Sequence, residues 1–501
     1  MSLAVIKSRA KHGLQAPQVY VEVHLSNGLP AFNIVGLPET SVKESKDRVR
    51  SAILNSHFEF PNRRITVNLA PADLPKGGSR FDLPIAIGIL AASDQLPKEP
   101  LEEYEFISEL ALTGELRGVE AILPSVIACA AHARQLIISK SNIAEAALVD
   151  GITALPAKHL LEVTAHLFQN KKIGPQSTDL TDKKTIYPQF SDVIGQQHAK
   201  RALEIAAAGG HHTLLFGPPG AGKTMLASRL PGIMPPMTNA EALQTASIHS
   251  LANRSPQNSF KQRPFRSPHH SASPAALVGG GSSPQPGEIS LAHNGVLFLD
   301  ELPEFQRSVL EMLREPLESA EIHISRATAQ VCYPAQFQLV AAMNPCPCGY
   351  MGGARCECST EQIKRYQSKI SGPILDRIDL HVRVNAVQND QLLESQRQSH
   401  GESSETILAR VIQARDRQLN RQGVINAQLN NPQLQTFCSL GKQQKQFLKQ
   451  AITNFKLSTR TYYRILKVAR TIADLGGIDV PDIPHYQEAL SYRSSFKHSI
   501  N

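Results

Sequence analysis

Gly217-Pro218-Pro219-Gly220-Ala221-Gly222-Lys223-Thr224 decides how this chain reads, because each residue type in it has a task in gripping phosphate. Ahead of it, Thr213-Leu214-Leu215-Phe216 is a short apolar run suited to a buried strand; behind it, Met225 to Leu230 is helix-like. Strand, glycine-rich turn and helix in that order make a phosphate-binding loop. The glycines let backbone N–H groups close on phosphate oxygens, and a helix N-terminus adds a favourable dipole. Lys223 is expected to reach the β- and γ-phosphates, and the Thr224 hydroxyl to ligate Mg2+. The eight residues from Gly217 to Thr224 are thus the expected nucleotide cradle.

The cradle needs a metal-holding partner, and Val296-Leu297-Phe298-Leu299-Asp300-Glu301 has the form of one. A continuous apolar run is what a parallel strand covered on both faces requires. Asp300 at its end is expected to hold Mg2+, directly or through water, and Glu301 to act as the base on the attacking water. Apolar runs ending in two acids are common in purely structural settings; the upstream loop gives this one its meaning. A further strand, Gln338 to Ala342, ends at Met343-Asn344, where an amide can orient the hydrolytic water. An asparagine closing a turn before Pro345 would look the same.

Outward from these motifs, 501 residues leave room for two to four domains, each with its own core. A hydrophobic share of 41% and a charged share of 19% exclude a disordered chain. Runs such as Ile85 to Ala92 are too short to span a bilayer, and the first residues lack a leader pattern, so a cytoplasmic protein with no membrane partner is expected. Residues 1 to about 168 alternate strand-like runs (Gln18 to His24, Arg64 to Asn68) with helical ones (Val42 to Ser56, Leu83 to Ala92). Residues 169–189 read as a linker, 190–387 as the α/β nucleotide-binding core, and 388–501 as a helical lid. The net charge of +8 is uneven, with ten Lys/Arg against four Asp/Glu from Leu440 to Asn501. Such asymmetry suits nucleic acid, and a solvated helical face explains it as well.

Four of the seven cysteines crowd into thirteen residues, as Cys346-Pro347-Cys348 and Cys356-Glu357-Cys358 around a glycine-rich turn. Four thiolates there suit a tetrahedral, structural Zn2+ that would staple a loop too short for a core. The spacing departs from the commoner Cys-x2-Cys knuckle, and redox-active or inert thiols are the alternatives. Lys223 and Asp300 lie 77 positions apart, room for extra loops. The stretch from Arg263 to Gly281 carries Arg263, Arg266, His269 and His270, and the hairpin-like Glu321 to Thr328 carries Arg326. Either could grip DNA phosphates; the alternative is local hydrogen bonding and solvated arginines.

With the loop and acidic strand in hand, Ser371-Gly372-Pro373-Ile374-Leu375-Asp376-Arg377-Ile378-Asp379 resembles the AAA+ ATPases, in the branch containing the magnesium-chelatase I subunit and the replicative MCM helicases. The resemblance implies that Arg377 is an arginine finger reaching the neighbouring subunit's nucleotide; an intrachain pair with Asp376 or Asp379 is the other reading. It also implies that Arg460, opening the helix after Leu457-Ser458-Thr459, contacts the γ-phosphate, with Arg464 and Arg470 as surface or packing residues. Asp192-Val193-Ile194-Gly195-Gln196 resembles the segment that packs on adenine, which favours ATP.

Longer strings narrow the resemblance: Phe32-Asn33-Ile34-Val35-Gly36-Leu37-Pro38, Asn68 to Lys76, Arg263 to His270, Gly287 to His293 and Asn344-Pro345-Cys346-Pro347-Cys348-Gly349. With them, nearly the whole chain is similar to the magnesium-chelatase-like competence family, ComM or YifB. That resemblance implies a homo-hexameric ATPase moving along single-stranded and branched DNA, driving branch migration during natural transformation, with a recombinase or a loading protein as further partners. The first domain resembles the Lon-protease C-terminal fold through Pro75-Lys76-Gly77-Gly78-Ser79-Arg80 and Leu112 to Gly118. Its nucleophile position holds Arg80, with Ser79 one residue early, and Leu123 to Ala131 contains no lysine, so a serine–lysine peptidase is not expected. A magnesium-chelatase subunit acting on a protein partner is the rival to the motor. The expected fold is an α/β AAA+ core, a parallel sheet between helices, with a helical lid and a Lon-like α+β N-terminal domain.

Overall fold

In the N-terminal part, strands such as Gln18–Ser26 alternate buried residues with more exposed ones, the pattern of a sheet with one face covered. The computed structural model of the chain describes residues 2–176, 187–281, 284–325, 330–353, 355–386, 401–455 and 457–498. Met1–Lys183 joined by Asn239–Phe260 form one compact unit; Lys184–Thr238 with Lys261–Asn501 form the other.

The first unit holds a seven-stranded sheet in the order Ala31–Val35, Arg64–Ala70, Gln18–Ser26, Leu3–Arg9, Tyr104–Ile107, Gln135–Ser139, Thr153–Ala157. Gln18–Ser26 runs antiparallel to both of its neighbours, and the other pairings are parallel. The helix Asp82–Ala92, buried at every position, packs on the central strands. Gly88 lets it approach, since a Cβ there would lie 2.5 Å from Val23 Cγ2. Burying Leu83, Ile85, Ile87, Ile89 and Leu90 contributes roughly 1.5–3 kcal/mol each to the unit's apolar core.

The helix Asn239–Leu251 belongs to this unit too, with Leu243 and Ala246 in the cluster around Val126 and Cys129. It lies inside residues 190–387, the range read as the nucleotide-binding core. Periodicity reports that a helix forms, not which core covers its apolar face.

The second unit is built on a five-stranded, all-parallel sheet ordered Phe265–Arg266, Val296–Leu299, Gln338–Met343, Thr213–Phe216, Leu380–Arg383. The three central strands are buried throughout, as parallel strands covered by helices on both faces must be. Chain order and sheet order differ, so the ends of Thr213–Phe216, Gln338–Met343 and Val296–Leu299 lie side by side although their residues are far apart in sequence. A separate hairpin pairs Glu321–Ser325 with Gln330–Pro334.

Helices Ser404–Gln422, Lys442–Phe455, Thr459–Leu475 and Ile483–His498 fall in the range read as a lid and share one apolar core with the helix Gln197–Gly209 and the sheet. Asp474, 1% exposed, fastens it: the carboxylate accepts from Arg421 at 2.6 and 3.0 Å, from Arg470 at 2.8 Å and from Asn426 at 2.8 Å. Asp379, at the start of strand Leu380–Arg383, pairs with Arg464 of the lid helix and accepts the His212 N–H at 3.0 Å. Burial alone would raise its pKa; Arg464 and the two neighbouring histidines hold it well below the usual carboxylate range. Arg464 and Arg470 are therefore both packing residues, half-buried and buried respectively.

Candidate nucleotide site

The strand Thr213–Phe216 ends at Gly217, whose N–H donates to Met343 O at 3.2 Å. A Cβ at this position would sit 1.9 Å from the Val384 carbonyl oxygen, so only glycine lets the loop begin so close to its neighbours. Gly220 and Gly222 take φ of 74° and 86°. The helix that follows is Lys223–Ala227, shorter than the run Met225 to Leu230 suggests. Pro231, which has no N–H to donate, leaves Leu230–Ile233 as a 3-10 turn.

Lys223 folds back over the loop, its Nζ donating to Gly217 O at 2.8 Å, Pro218 O at 2.9 Å and Asn344 Oδ1 at 3.0 Å. Burial lowers its pKa from the ordinary lysine value, and the charges of Asp300 and Glu301 oppose that shift. The Thr224 hydroxyl donates to Asp300 Oδ2 at 2.8 Å, while Oδ1 accepts the Glu301 N–H at 2.9 Å. A hydroxyl and a carboxylate side by side at the mouth of a glycine turn are the hard oxygen donors Mg2+ takes, so the residues present fit Mg·ATP. The metal, when bound, neutralises phosphate charge. Residues 76 to 121 positions apart have met at one corner of the sheet.

Glu301 stands apart from these bonds. Its backbone is left-handed, at φ 51° and ψ 47°, a conformation costing a non-glycine residue on the order of 1–3 kcal/mol. Its carboxylate lies 3.4 Å from His270 Nδ1 and is about half exposed, open to water. His270, read from sequence as a DNA contact, thus also borders the acid pair, and its ring stands edge-on to Phe305. No sequence signal links His270 to Glu301.

The two remaining arginines are not at the phosphate loop's bonds. Arg377 is 4% exposed and is held by Glu318 and by Pro373 O at 2.8 Å. Its partner is therefore neither Asp376 nor Asp379. Arg460 is exposed at the start of the lid helix Thr459–Leu475 and makes no hydrogen bond or ion pair among the described residues. Gln196, the last residue of the segment read as adenine-packing, donates to Asn385 O at 2.6 Å and Ala221 O at 3.4 Å, tying that segment to the loop.

Of the residues expected at DNA, Arg263 donates to Pro235 O and Asn294 O, each at 2.6 Å, and Arg266 makes a two-pronged pair with Glu288 at 2.6 and 2.7 Å. Both guanidiniums hold the chain to itself. His269 bonds Ser271 Oγ at 2.8 Å and its ring lies 4.1 Å from that of His270. Arg326 falls outside the described residues; the hairpin strands on either side of it pair in register from Glu321↔Pro334 to Ser325↔Gln330.

The four clustered cysteines converge. Cys346, Cys348 and Cys356 have Sγ–Sγ separations of 3.3, 3.9 and 3.7 Å, and all four sulfurs, including that of Cys358, lie within 4.8 Å of one another. A zinc ion with bonds of about 2.3 Å to four tetrahedral thiolates would set its sulfurs about 3.8 Å apart, so the set fits that metal. Burial raises the Cys346 thiol, whereas the backbone N–H of Tyr350 lowers Cys348. The loop presses on the nucleotide cradle: a Cβ on Gly349 would lie 2.5 Å from Pro219 Cδ.

In the first unit Arg80 is 3% exposed and donates to Glu120 O at 2.8 Å and to Ser125 Oγ at 3.4 Å. Ser125 lies on the helix Leu123–Ala131, where a peptidase would carry its lysine. A buried guanidinium facing a hydroxyl provides neither nucleophile nor base.

Residues 189–392 match the family description "Magnesium chelatase, subunit ChlI", residues 21–142 "Subunit ChlI of Mg-chelatase", and residues 401–493 "Magnesium chelatase, subunit ChlI C-terminal". The chain is 54% identical over 501 residues to competence protein ComM of Haemophilus influenzae, covering 99% of this chain and 98% of that protein. It is 52% identical over 496 residues to the uncharacterized protein YifB of Escherichia coli, covering 99% and 97%. Against the uncharacterized protein Mb2921c of Mycobacterium bovis it is 39% identical over 503 residues, covering 99% of each. No helix among the described residues is long and apolar enough to cross a membrane. A phosphate-loop core of this geometry and full-length identity of this order together establish that the chain belongs to the ComM/YifB family of magnesium-chelatase-like AAA+ proteins.

Proposed function

We propose that the chain is the subunit of a ring-shaped, ATP-hydrolysing DNA motor that moves branch points while incoming single strands are recombined into duplex DNA. The observation that carries the ATP half is the convergence of Lys223, Thr224, Asp300 and Asn344, with Glu301 facing water beside them. In this reading Lys223 gives up its carbonyl and amide partners for the β- and γ-phosphates. Thr224 and Asp300 hold Mg2+, and Glu301 takes a proton from the attacking water, which Asn344 orients. The DNA half is supported by the name of the Haemophilus relative, a competence protein, by the net charge of +8, and by the hairpin beyond the acidic strand.

Arg377 then acts in trans by exchanging Glu318 for the γ-phosphate of a neighbouring subunit in a hexamer, and Arg460 reaches the same phosphate from the lid. The four-cysteine cluster holds a structural zinc. A cytoplasmic location and contacts with a recombinase or a loader accompany this reading.

The test is branch migration on synthetic three- and four-way junctions with ATP, comparing the native chain with Lys223→Ala and Glu301→Gln. Strand exchange by the native chain alone is the expected result. Equal exchange by both variants sinks the mechanism. ATP hydrolysis without strand exchange or DNA stimulation would favour a chelatase-like subunit acting on a protein partner.

A further inference from the structure

Behind the phosphate loop lies a cavity of about 490 Å3, within the roughly 300–1,000 Å3 of ligand sites. It is lined by Gly217 and Pro218, by Tyr350 and Arg355 of the cysteine-rich loop, and by Arg383 and Asn385 at and after the end of strand Leu380–Arg383. Gly220 to Thr224, Asp300 and Glu301, the groups that face phosphate and metal, do not line it. It therefore adjoins the nucleotide site and shares Gly217 and Pro218 with it, while the groups that face metal and phosphate lie outside it.

Its chemistry is specific. Arg355 and Arg383 are exposed and have no hydrogen-bond or ion-pair partner among the described residues, whereas Arg263, Arg266, Arg377 and Arg421 of the same unit are committed to partners. Among the described residues no acidic side chain lines the cavity. Tyr350 is 38% exposed, and Gly349, Gly352 and Gly353 leave backbone open to close approach. Two guanidiniums unpaired among the described residues and an exposed aromatic ring, set in a glycine-lined cleft, can take phosphate and base together.

We propose that this cleft is a binding site for a single-stranded polynucleotide, with Arg355 and Arg383 on its phosphates and Tyr350 stacked on a base. The inference rests on the DNA-motor reading and places the strand against the back of the phosphate loop. Tyr350 and Arg355 lie between Cys348 and Cys356, so the staple that closes the cysteine cluster also presents them. Pro218, whose carbonyl accepts from Lys223, lines the same cleft, so a change at the phosphates is felt by the strand through one residue.

The experiment is fluorescence anisotropy of a labelled single strand over a range of salt, with the full chain, Arg355→Ala/Arg383→Ala, Arg355→Lys/Arg383→Lys and Tyr350→Ala. Thermal midpoints check folding. The double alanine variant should lower the magnitude of the log–log salt slope by about 1.4, at about 0.7 per lost phosphate contact, and the double lysine variant should restore it. Tyr350→Ala should weaken binding about 5- to 160-fold without changing the slope. Unchanged affinity and slope in all variants would overturn the cleft while leaving the motor standing. A native chain that binds no strand would overturn both. Displacement of the strand by free AMP at comparable concentration would reassign the cleft to a mononucleotide and overturn the proposal.

Discussion

Replacing Glu301 by glutamine separates the chemistry of the site from its architecture. Asp300, not Glu301, makes the bonds that hold the cradle together, at 2.8 Å to Thr224 and 2.9 Å to the Glu301 N–H. Glutamine keeps the backbone N–H, the side-chain length and a polar atom near His270. The structural loss is one loose contact of 3.4 Å between groups 36% and 52% exposed, about 0–1 kcal/mol. The chemical loss is a general base, about 10²- to 10⁴-fold in rate, or about 3–5 kcal/mol of barrier. The second term dominates, so kcat should fall by two to four decades while affinity for a fluorescent ATP analogue stays within about threefold. Asp300→Asn should instead weaken Mg·ATP binding itself. Steady-state phosphate release and nucleotide titration measure both quantities. A Glu301→Gln protein that hydrolyses ATP within tenfold of the native rate at unchanged affinity would refute the assignment of the base.

Asp474→Ala should strip the buried partner from Arg421 and Arg470 and cost about 3–5 kcal/mol, seen as a thermal midpoint several degrees lower; an unchanged midpoint would mean the lid core does not depend on that network. Metal analysis should find a single zinc per chain and none in Cys346→Ser or Cys356→Ser; zinc retained at full stoichiometry in either variant would rule out the four-sulfur site. His293, 2% exposed, accepts the Gln336 N–H at 3.0 Å on Nδ1, and burial pushes its pKa down to about 4. Its stabilising contribution is full above the ordinary value of about 6.5 and is lost as pH falls toward 4, about 3 kcal/mol in all. Midpoints followed from pH 7 to 4 should therefore fall less steeply in His293→Gln than in the native chain, and equal slopes would contradict the assignment.

The nucleotide cradle was legible because its residues are local: strand, glycines, lysine and threonine occupy twelve consecutive positions, and short-range geometry dictates what they form. The acidic strand and the strand before Asn344 were legible because a fully buried parallel strand must be a continuous apolar run. The thiol cluster showed itself through spacing alone. Other features depend on which distant surfaces meet. Glu318 holds Arg377 across 59 positions, and His270 reaches Glu301 only because the strand Phe265–Arg266 lies beside Val296–Leu299 in the sheet. Asn239–Leu251 joins the first unit because its apolar face fits the core there, a match that no periodicity contains. Arg263 and Arg266 carry charges that any sequence displays, but only packing revealed that carbonyls and Glu288 already occupy them. By itself, then, the sequence determined the chemistry of short segments, where covalent neighbours do the positioning. The tertiary structure decided which of its many arginines are spent within the chain and which stand open to a ligand, because burial and pairing are properties of surfaces brought together by the fold.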